Sequence, residues 1–252
     1  MNTRCRKKLA VFDFDHTVID DNSDTAIVKL IDHKKIPKEI KMLHRSDGWT
    51  AFMQGIFEIL HENDINEESI RDLIISLPPI EGMVELIYEM TEKLNFDVIV
   101  ISDSNSYFID LWLEAHNLKE RVLKVFTNPA HFEDGLLKIH MYHLQDSCKL
   151  STKNLCKGQI MEDFIEDQKQ KGVTYDTVVY CGDGYNDFCP ILRLNSKDVA
   201  CVRDKYKCAE IVLKAKDGRY TDVHGIPRTV YANVCVWSSG FEITEYMRQH
   251  ML

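Results

Sequence analysis

Val11-Phe12-Asp13-Phe14-Asp15-His16-Thr17 closes an apolar run that begins at Leu9. Residues 9–15 read as a buried strand, and on a strand residues i and i+2 point to the same face. Asp13 and Asp15 are therefore expected to project together from a strand tip. Two carboxylates that close repel each other unless a divalent cation offsets them or one keeps its proton. Either arrangement is useful for moving a phosphoryl group. By the same alternation, His16 is expected to face away from the pair and to play a structural part. The plainer reading of the heptapeptide is a strand that ends in a turn, with Asp and Thr as turn residues.

Outward from this stretch, residues from about 21 to 78 read as a helical insert. Asn22 or Ser23 can cap a helix with Asp24 in its first turn. Trp49, Phe52, Met53, Ile56, Phe57 and Leu60 fall at helical spacing, Ile70, Leu73, Ile74 and Leu77 repeat it, and Pro78-Pro79 stops it. A helix through Met83 to Met90 follows. Val98 to Ile101 is a β-branched strand that runs into Ser102-Asp103-Ser104-Asn105, with a helix through Phe108 and Trp112 after it. Val122–Thr127 reads as a strand and Glu133-Asp134-Gly135 as a hairpin turn. A helix is expected from about 154 to 170, with Gly172 at its end. Thr177–Cys181 is a strand entering Gly182-Asp183-Gly184-Tyr185-Asn186-Asp187. Val199–Val202 and Val230–Trp237 are further strands, and 241–251 a short helix. Alternating strands and helices predict a parallel sheet covered on both faces. Ligands in that architecture bind beyond the carboxyl ends of the strands, where strand order reverses. Asp13/Asp15, Ser102/Asp103 and Asp183/Asp187 all follow predicted strands. The chain shows no internal repeat and no low-complexity tract.

Composition narrows the function classes. The 252 residues carry a formal net charge of −9, which argues against a nucleic-acid footprint, since that needs a basic face. A small anionic substrate is compatible with it, because a bound metal dominates the local field. No apolar run approaches the roughly 18 residues that span a bilayer. Arg4, Arg6, Lys7 and Lys8 precede an apolar stretch as in a signal peptide, but Asp13 and Asp15 break that stretch at once. The eight cysteines form no C-x-x-C pair, and several sit in apolar segments. They are expected to be reduced thiols in a cytoplasmic protein.

The set Asp13-x-Asp15-x-Thr17, Ser102 at a strand end, Lys157, and Gly182-Asp183-Gly184-x-Asn186-Asp187 resembles the haloacid dehalogenase superfamily of aspartate-nucleophile phosphatases. The resemblance runs in order over nearly the whole chain. Phe12–Asp24, Ile101–Ser106, Phe126–Ala130, Asn154–Lys157 and Val236–Gly240 are most similar to the PHOSPHO group, which comprises phosphoethanolamine/phosphocholine and pyridoxal phosphate phosphatases, and to its pyridoxal phosphate branch in particular. The resemblance implies an α/β fold, a HAD-like Rossmannoid parallel sheet with helices on both faces. Residues 1–20 and 79–252 would form the catalytic core, and residues 21–78 a small all-helical cap after the first strand. Asp13 would be the nucleophile and Asp15 the general acid/base. Mg²⁺ would be held by Asp13, the Asp15 backbone carbonyl and Asp183, with Asp187 in the outer sphere or orienting Lys157. Ser102 and Lys157 would bind phosphoryl oxygens. Asp24, Asp103, Asn105, Gly182 and Gly184 would line the substrate. Gly182 and Gly184 are expected to permit the tight turn that brings Asp183 to the metal. The expected substrate is a small phosphomonoester, pyridoxal 5′-phosphate before phosphoethanolamine or phosphocholine, with no nucleic acid, membrane or obligate protein partner.

Each residue also has a plainer reading. Ser102 can cap the helix after it, Lys157 can be a solvated helix lysine, and Asp24 and Asp103 can be first-turn or capping acids. Asp183 and Asp187 can be turn residues or a partial calcium loop, although the later bidentate Glu of an EF-hand is missing. The eight cysteines, with His140 and His143 near Cys148, raise a zinc reading, but the spacing fits no standard set. The chain departs from the group in having His16 after Asp15, and Lys149, Leu150 and Ser151 where some members carry a C-x-x-C element. In a different class, a phospho-accepting regulatory module also uses Asp and Mg²⁺. Such modules are much shorter and uncapped, and Asp15 favours turnover. Nothing in the sequence supports a catalytically dead scaffold.

Overall fold

The computed structural model describes residues 5–45 and 47–251. Arg4, one of the basic residues weighed above, lies outside them. The strands are β1 (Cys5–Phe12), β2 (Phe96–Asn105), β3 (Lys124–Asn128), β4 (Ala130–Glu133), β5 (Leu136–Ile139), β6 (Val173–Gly182), β7 (Val199–Arg203), β8 (Tyr220–Thr221), β9 (Pro227–Arg228) and β10 (Asn233–Trp237). Six of them make a wholly parallel sheet in the order β10-β7-β6-β1-β2-β3. The chain steps outward from β1 through β2 to β3, then crosses back to β6 and steps outward the other way. Strand order therefore reverses beside β1, where ligands are expected. Phe12 pairs with Val100 on one side and Cys181 on the other. The residues just past β1 and β6 therefore emerge beside Ser102, which lies within β2 rather than in a loop after it, because β2 runs on to Asn105.

Burial follows from alternation along each strand. Ala10 and Phe12 join one apolar cluster, while Leu9 and Val11 join a second on the opposite face. The helices are α1 (Ser23–Val28), α2 (Lys38–Lys41), α3 (Trp49–Glu62), α4 (Glu67–Ser76), α5 (Met83–Glu92), α6 (Ser106–Ala115), α7 (Lys157–Gln170), α8 (Phe188–Ile191), α9 (Lys207–Lys216) and α10 (Gly240–His250). Helices α3, α5, α6 and α10 contribute to the first cluster, and α7, α8 and α9 to the second. Both faces are thus covered, and the strands read as continuous apolar runs.

The described residues of 23–76 hold α1 to α4 and no strand. Their apolar side chains, among them Ile27, Phe52, Ile56 and Ile74, merge with the cluster on that face of the sheet. The β4–β5 hairpin reaches α3, where Gln54 Oε1 accepts the Ile139 N–H at 3.0 Å. Its two-residue turn has φ +49° at Asp134 and φ +80° at Gly135, the left-handed pair that the Asp-Gly signal favours.

Some expectations are corrected. The first strand ends at Phe12, not at residue 15. The Phe14 carbonyl accepts the N–H groups of Thr17, Val18 and Ile19, which folds the chain over at that point. The last strand starts at Asn233 and α7 at Lys157. Helix α9 was missed, although Cys208, Ala209, Ile211, Val212 and Ala215 are buried at helical spacing. Its intervening lysines and Glu210 obscured the pattern.

Candidate active site

Asp13, Lys157, Asp183 and Asp187 meet at the strand tips. Lys157 Nζ lies 2.6 Å from Asp13 Oδ2 and 2.8 Å from Asp187 Oδ1, with all three side chains buried. Asp13 is set by its own backbone: its N–H donates to the Cys181 carbonyl at 2.9 Å, and its Oδ1 accepts the Phe14 N–H at 2.7 Å. Lys157 is the first residue of α7, so the helix start delivers the ammonium into the sheet edge.

Asp187 is saturated with donors. Besides Lys157, its Oδ1 accepts the Tyr180 hydroxyl at 2.7 Å, and its Oδ2 accepts the N–H groups of Asp183 at 3.0 Å and Gly184 at 2.8 Å. Four donors on one buried carboxylate make it an anchor for Lys157 and for the loop that carries Asp183. Gly182 is needed for a reason other than the one expected. Neither Gly182 nor Gly184 has a positive φ. A Cβ at Gly182 would stand 2.4 Å from Asp187 Cγ, so the glycine permits the close approach of this carboxylate.

A cleft of ≈ 280 Å³ adjoins this group, with Asp183 its shared member. Asp15, His16, Asn22, Asp24, Asp103 and Asp183 line it together with Trp49, Thr152, Gly184 and Asn186. Burial raises Asp15 to about 7 against the opposing Ser23 hydrogen bond, whose N–H donates to its Oδ1 at 2.8 Å. Burial and then Asp187 raise Asp183 to about 7 as well. Burial pushes Asp13 up, opposed by Lys157. Burial alone would depress Lys157, but Asp13 and Asp187 outweigh it and hold the ammonium well above its ordinary range.

Asp24 is buried, and its Oδ2 accepts the Trp49 indole N–H at 2.7 Å. Its Oδ1 has no partner among the described residues. Burial and then the nearby Asp15 push its carboxyl well above the usual range. Asp103 Oδ2 accepts the Asn186 side-chain N–H at 3.2 Å. Ser102 is fully buried two residues beyond Val100, and its Oγ accepts the Ser104 N–H at 3.3 Å. Asn105 stands apart from the cleft lining: it is fully buried, and its Oδ1 caps α6 by accepting the Phe108 N–H. His16 corrects the alternation argument. Its φ is +54°, so strand geometry no longer governs it, and its half-buried ring lines the cleft. Burial and then Arg203 lower its pKa.

The residues suit a hard divalent cation. Oxygens of Asp13, Asp183 and Asp187 all lie within 4.8 Å of one another. Asp13, Asp15, Asp24, Asp183 and Asp187 are buried, with Lys157 the one buried cation among the described residues. So much uncompensated acid in one place is costly unless protons or a metal neutralise it. Asp183 has the freer carboxylate, its Oδ1 accepting only a long 3.5 Å contact from Thr17 Oγ1.

Ser23, Trp49 and Tyr180 are site residues to which the sequence reading gave no site role, and Asn186 stood in the quoted motif without one. Tyr180 in particular sits in a run of apolar strand residues and carries no local mark of its hydroxyl's task. Among the described residues no helix is long and apolar enough to cross a membrane.

Comparison with known proteins gives the family and the fold. The family model described as "Putative Phosphatase" matches residues 8–251. The pyridoxal phosphate phosphatase PHOSPHO2 of Bos taurus is 41% identical over 96% of this chain and 98% of its own length, and that of Homo sapiens is equally similar. The phosphoethanolamine/phosphocholine phosphatase of Homo sapiens is 29% identical over 96% of this chain and 88% of its own. A phosphoserine phosphatase solved as a phospho-aspartyl intermediate analogue shares the fold with a TM-score of 0.58, at 21% identity over 96% of this chain and 99% of that one. The chain therefore belongs to the "Putative Phosphatase" family and is a phosphoric monoester hydrolase.

Proposed function

We propose that this enzyme hydrolyses pyridoxal 5′-phosphate through an aspartyl-phosphate on Asp13, in a cleft covered by the helices of residues 21–78. The observation that carries this reading is the buried grouping of Asp13, Lys157, Asp183 and Asp187 beside β1, with Asp15 raised to about 7 on the same cleft. Asp13 attacks phosphorus, and Asp15 gives its proton to the departing alkoxide. Asp15, now a carboxylate, takes a proton from the water that attacks phosphorus of the acyl phosphate; inorganic phosphate leaves, Asp13 returns as a carboxylate and Asp15 as the acid. Lys157 balances charge on Asp13 and on the phosphoryl oxygens. Ser102 offers its hydroxyl to the same oxygens. Mg²⁺ would be held by Asp13 and Asp183, with the Asp15 carbonyl as a further ligand, and would supply Lewis-acid neutralisation of phosphoryl charge.

The substrate assignment is supported by Trp49 and Asp24. The indole offers a flat face for a ring, and the unpartnered Asp24 oxygen suits a pyridinium N–H. The same oxygen would also suit the ammonium of phosphoethanolamine, which is the second reading. Phosphate release from pyridoxal 5′-phosphate, phosphoethanolamine, phosphocholine and phosphoserine, with and without Mg²⁺, tests both. Preference for pyridoxal 5′-phosphate with strict Mg²⁺ dependence supports the proposal. Preference for an aliphatic amine, or turnover after chelation, rejects the corresponding part.

A further inference from the structure

The described residues include eight free cysteines, and six of them form two trios of opposite character. Cys181, Cys201 and Cys235 stand in register on β6, β7 and β10 inside the apolar core. The other three come from separate segments. Cys148 lies in the loop after β5, Cys156 immediately precedes α7, and Cys189 is on α8. Cys189 Sγ is 3.4 Å from Cys148 Sγ and 3.8 Å from Cys156 Sγ, and all three sulfurs lie within 4.8 Å of one another.

Tetrahedral Zn²⁺ with Zn–S bonds of about 2.3 Å separates its sulfur ligands by roughly 3.8 Å. The trio has that spacing, and its surroundings supply what thiolate ligands need. Ser151 Oγ donates to Cys156 Sγ at 3.3 Å, and Arg193 Nη2 donates to the same sulfur at 3.8 Å. Three thiolates and one Zn²⁺ leave a single negative charge, which faces the Arg193 guanidinium, itself also paired with Glu162. Gln145 holds the Cys148 loop from both sides: its Oε1 accepts the Cys148 N–H at 2.9 Å and its Nε2 donates to the Thr152 carbonyl at 2.7 Å. A Cβ on Gly158 would stand 2.8 Å from Cys189 Sγ, so this glycine lets the sulfur approach the first turn of α7. Cys148 and Cys189 line an open cleft of ≈ 520 Å³, which gives an entry path. The histidine set weighed from the sequence is not used, since His143 Nε2 accepts the Cys156 N–H at 3.0 Å.

We propose that Cys148, Cys156 and Cys189 bind one Zn²⁺, with a water from the adjoining cleft as fourth ligand. The ion is a brace. Cys156 adjoins Lys157 and Cys189 follows Asp187 by two residues, so the metal ties together the two segments that carry this ion pair. A disulfide is less well supported, because it would use two sulfurs and leave the third, whereas Cys189 stands close to both of the others. The site is separate from the carboxylate cleft and holds whatever the substrate is.

The test is metal analysis and spectroscopy of the intact protein. After growth with zinc and dialysis, about one zinc per chain is expected. Exchange with Co²⁺ should give thiolate-to-cobalt charge-transfer bands in the near ultraviolet and strong tetrahedral d–d bands. A carboxylate site produces no such charge-transfer bands, so the result does not depend on phosphatase activity. Cys148→Ser, at the half-buried member, should abolish the bands, and Cys235→Ser should keep them. If Cys148→Ser fails to fold, X-ray absorption of the wild-type zinc form decides, with three sulfur scatterers at about 2.3 Å expected. A wild-type Co²⁺ spectrum without thiolate bands, oxygen and nitrogen scatterers alone, or a disulfide within the trio in non-reduced peptide maps would overturn the assignment.

Discussion

Lys157 Nζ sits 2.8 Å from Asp187 Oδ1, and neither side chain meets solvent. Asp187 is also held by Tyr180 and two backbone N–H groups, so the ammonium is aimed by a fixed anchor. Asp187→Asn should lower kcat by about 10- to 100-fold with little change in KM, the usual cost of losing an orienting partner. Steady-state kinetics checks this. A large rise in KM with unchanged kcat would mean that Asp187 serves binding instead.

Removal of Lys157 strands two buried carboxylates. Lys157→Ala should destabilise the protein by about 3–5 kcal/mol, and Asp13→Asn much less, because Lys157 keeps Asp187 as its partner. Asp13→Asn should nevertheless abolish turnover. Denaturant melts of both variants beside phosphate-release assays separate the two roles.

Asp15 must be protonated to release the alkoxide. With its carboxyl raised to about 7, kcat/KM should fall as pH rises above about 7. A pH–rate profile shows the descending limb, and Asp15→Asn should lose both the limb and nearly all activity. A profile that stays flat to about pH 9 would remove Asp15 as the acid.

Stability should report the same buried acids. Asp15 and Asp183 are both raised to about 7 from the ordinary carboxylate value. A raised acid contributes stability that is complete below its unfolded pKa and is lost as pH climbs through the folded one. The metal-free protein should therefore melt progressively lower from about pH 4 to about pH 8. Mg²⁺ should reverse most of that loss at the upper end. Thermal melts across pH, with chelator or Mg²⁺, measure both.

Asp24 offers one unpartnered oxygen to the cleft, and Trp49 holds the other. Asp24→Asn should reduce kcat/KM for pyridoxal 5′-phosphate about tenfold or more while sparing a phosphomonoester without a basic nitrogen. An unchanged ranking of substrates would show that Asp24 does not read the substrate.

The sequence by itself placed the acids. Apolar runs that stop abruptly at Asp13, Ser102 and Asp183 are local signals, and parallel strands bring their carboxyl ends to one edge. Helical spacing likewise exposed helices α3 and α4, and the Asp134-Gly135 pair exposed the hairpin. Tertiary structure decided what those acids touch. The Lys157 contact to Asp187, the Trp49 contact to Asp24 and the sulfur trio join residues far apart along the chain, and no local pattern encodes such meetings. His16 shows the limit most plainly. Alternation assigned it a face on a strand that had already ended at Phe12, because where a strand stops depends on the pairing of its neighbours and on the turn that follows.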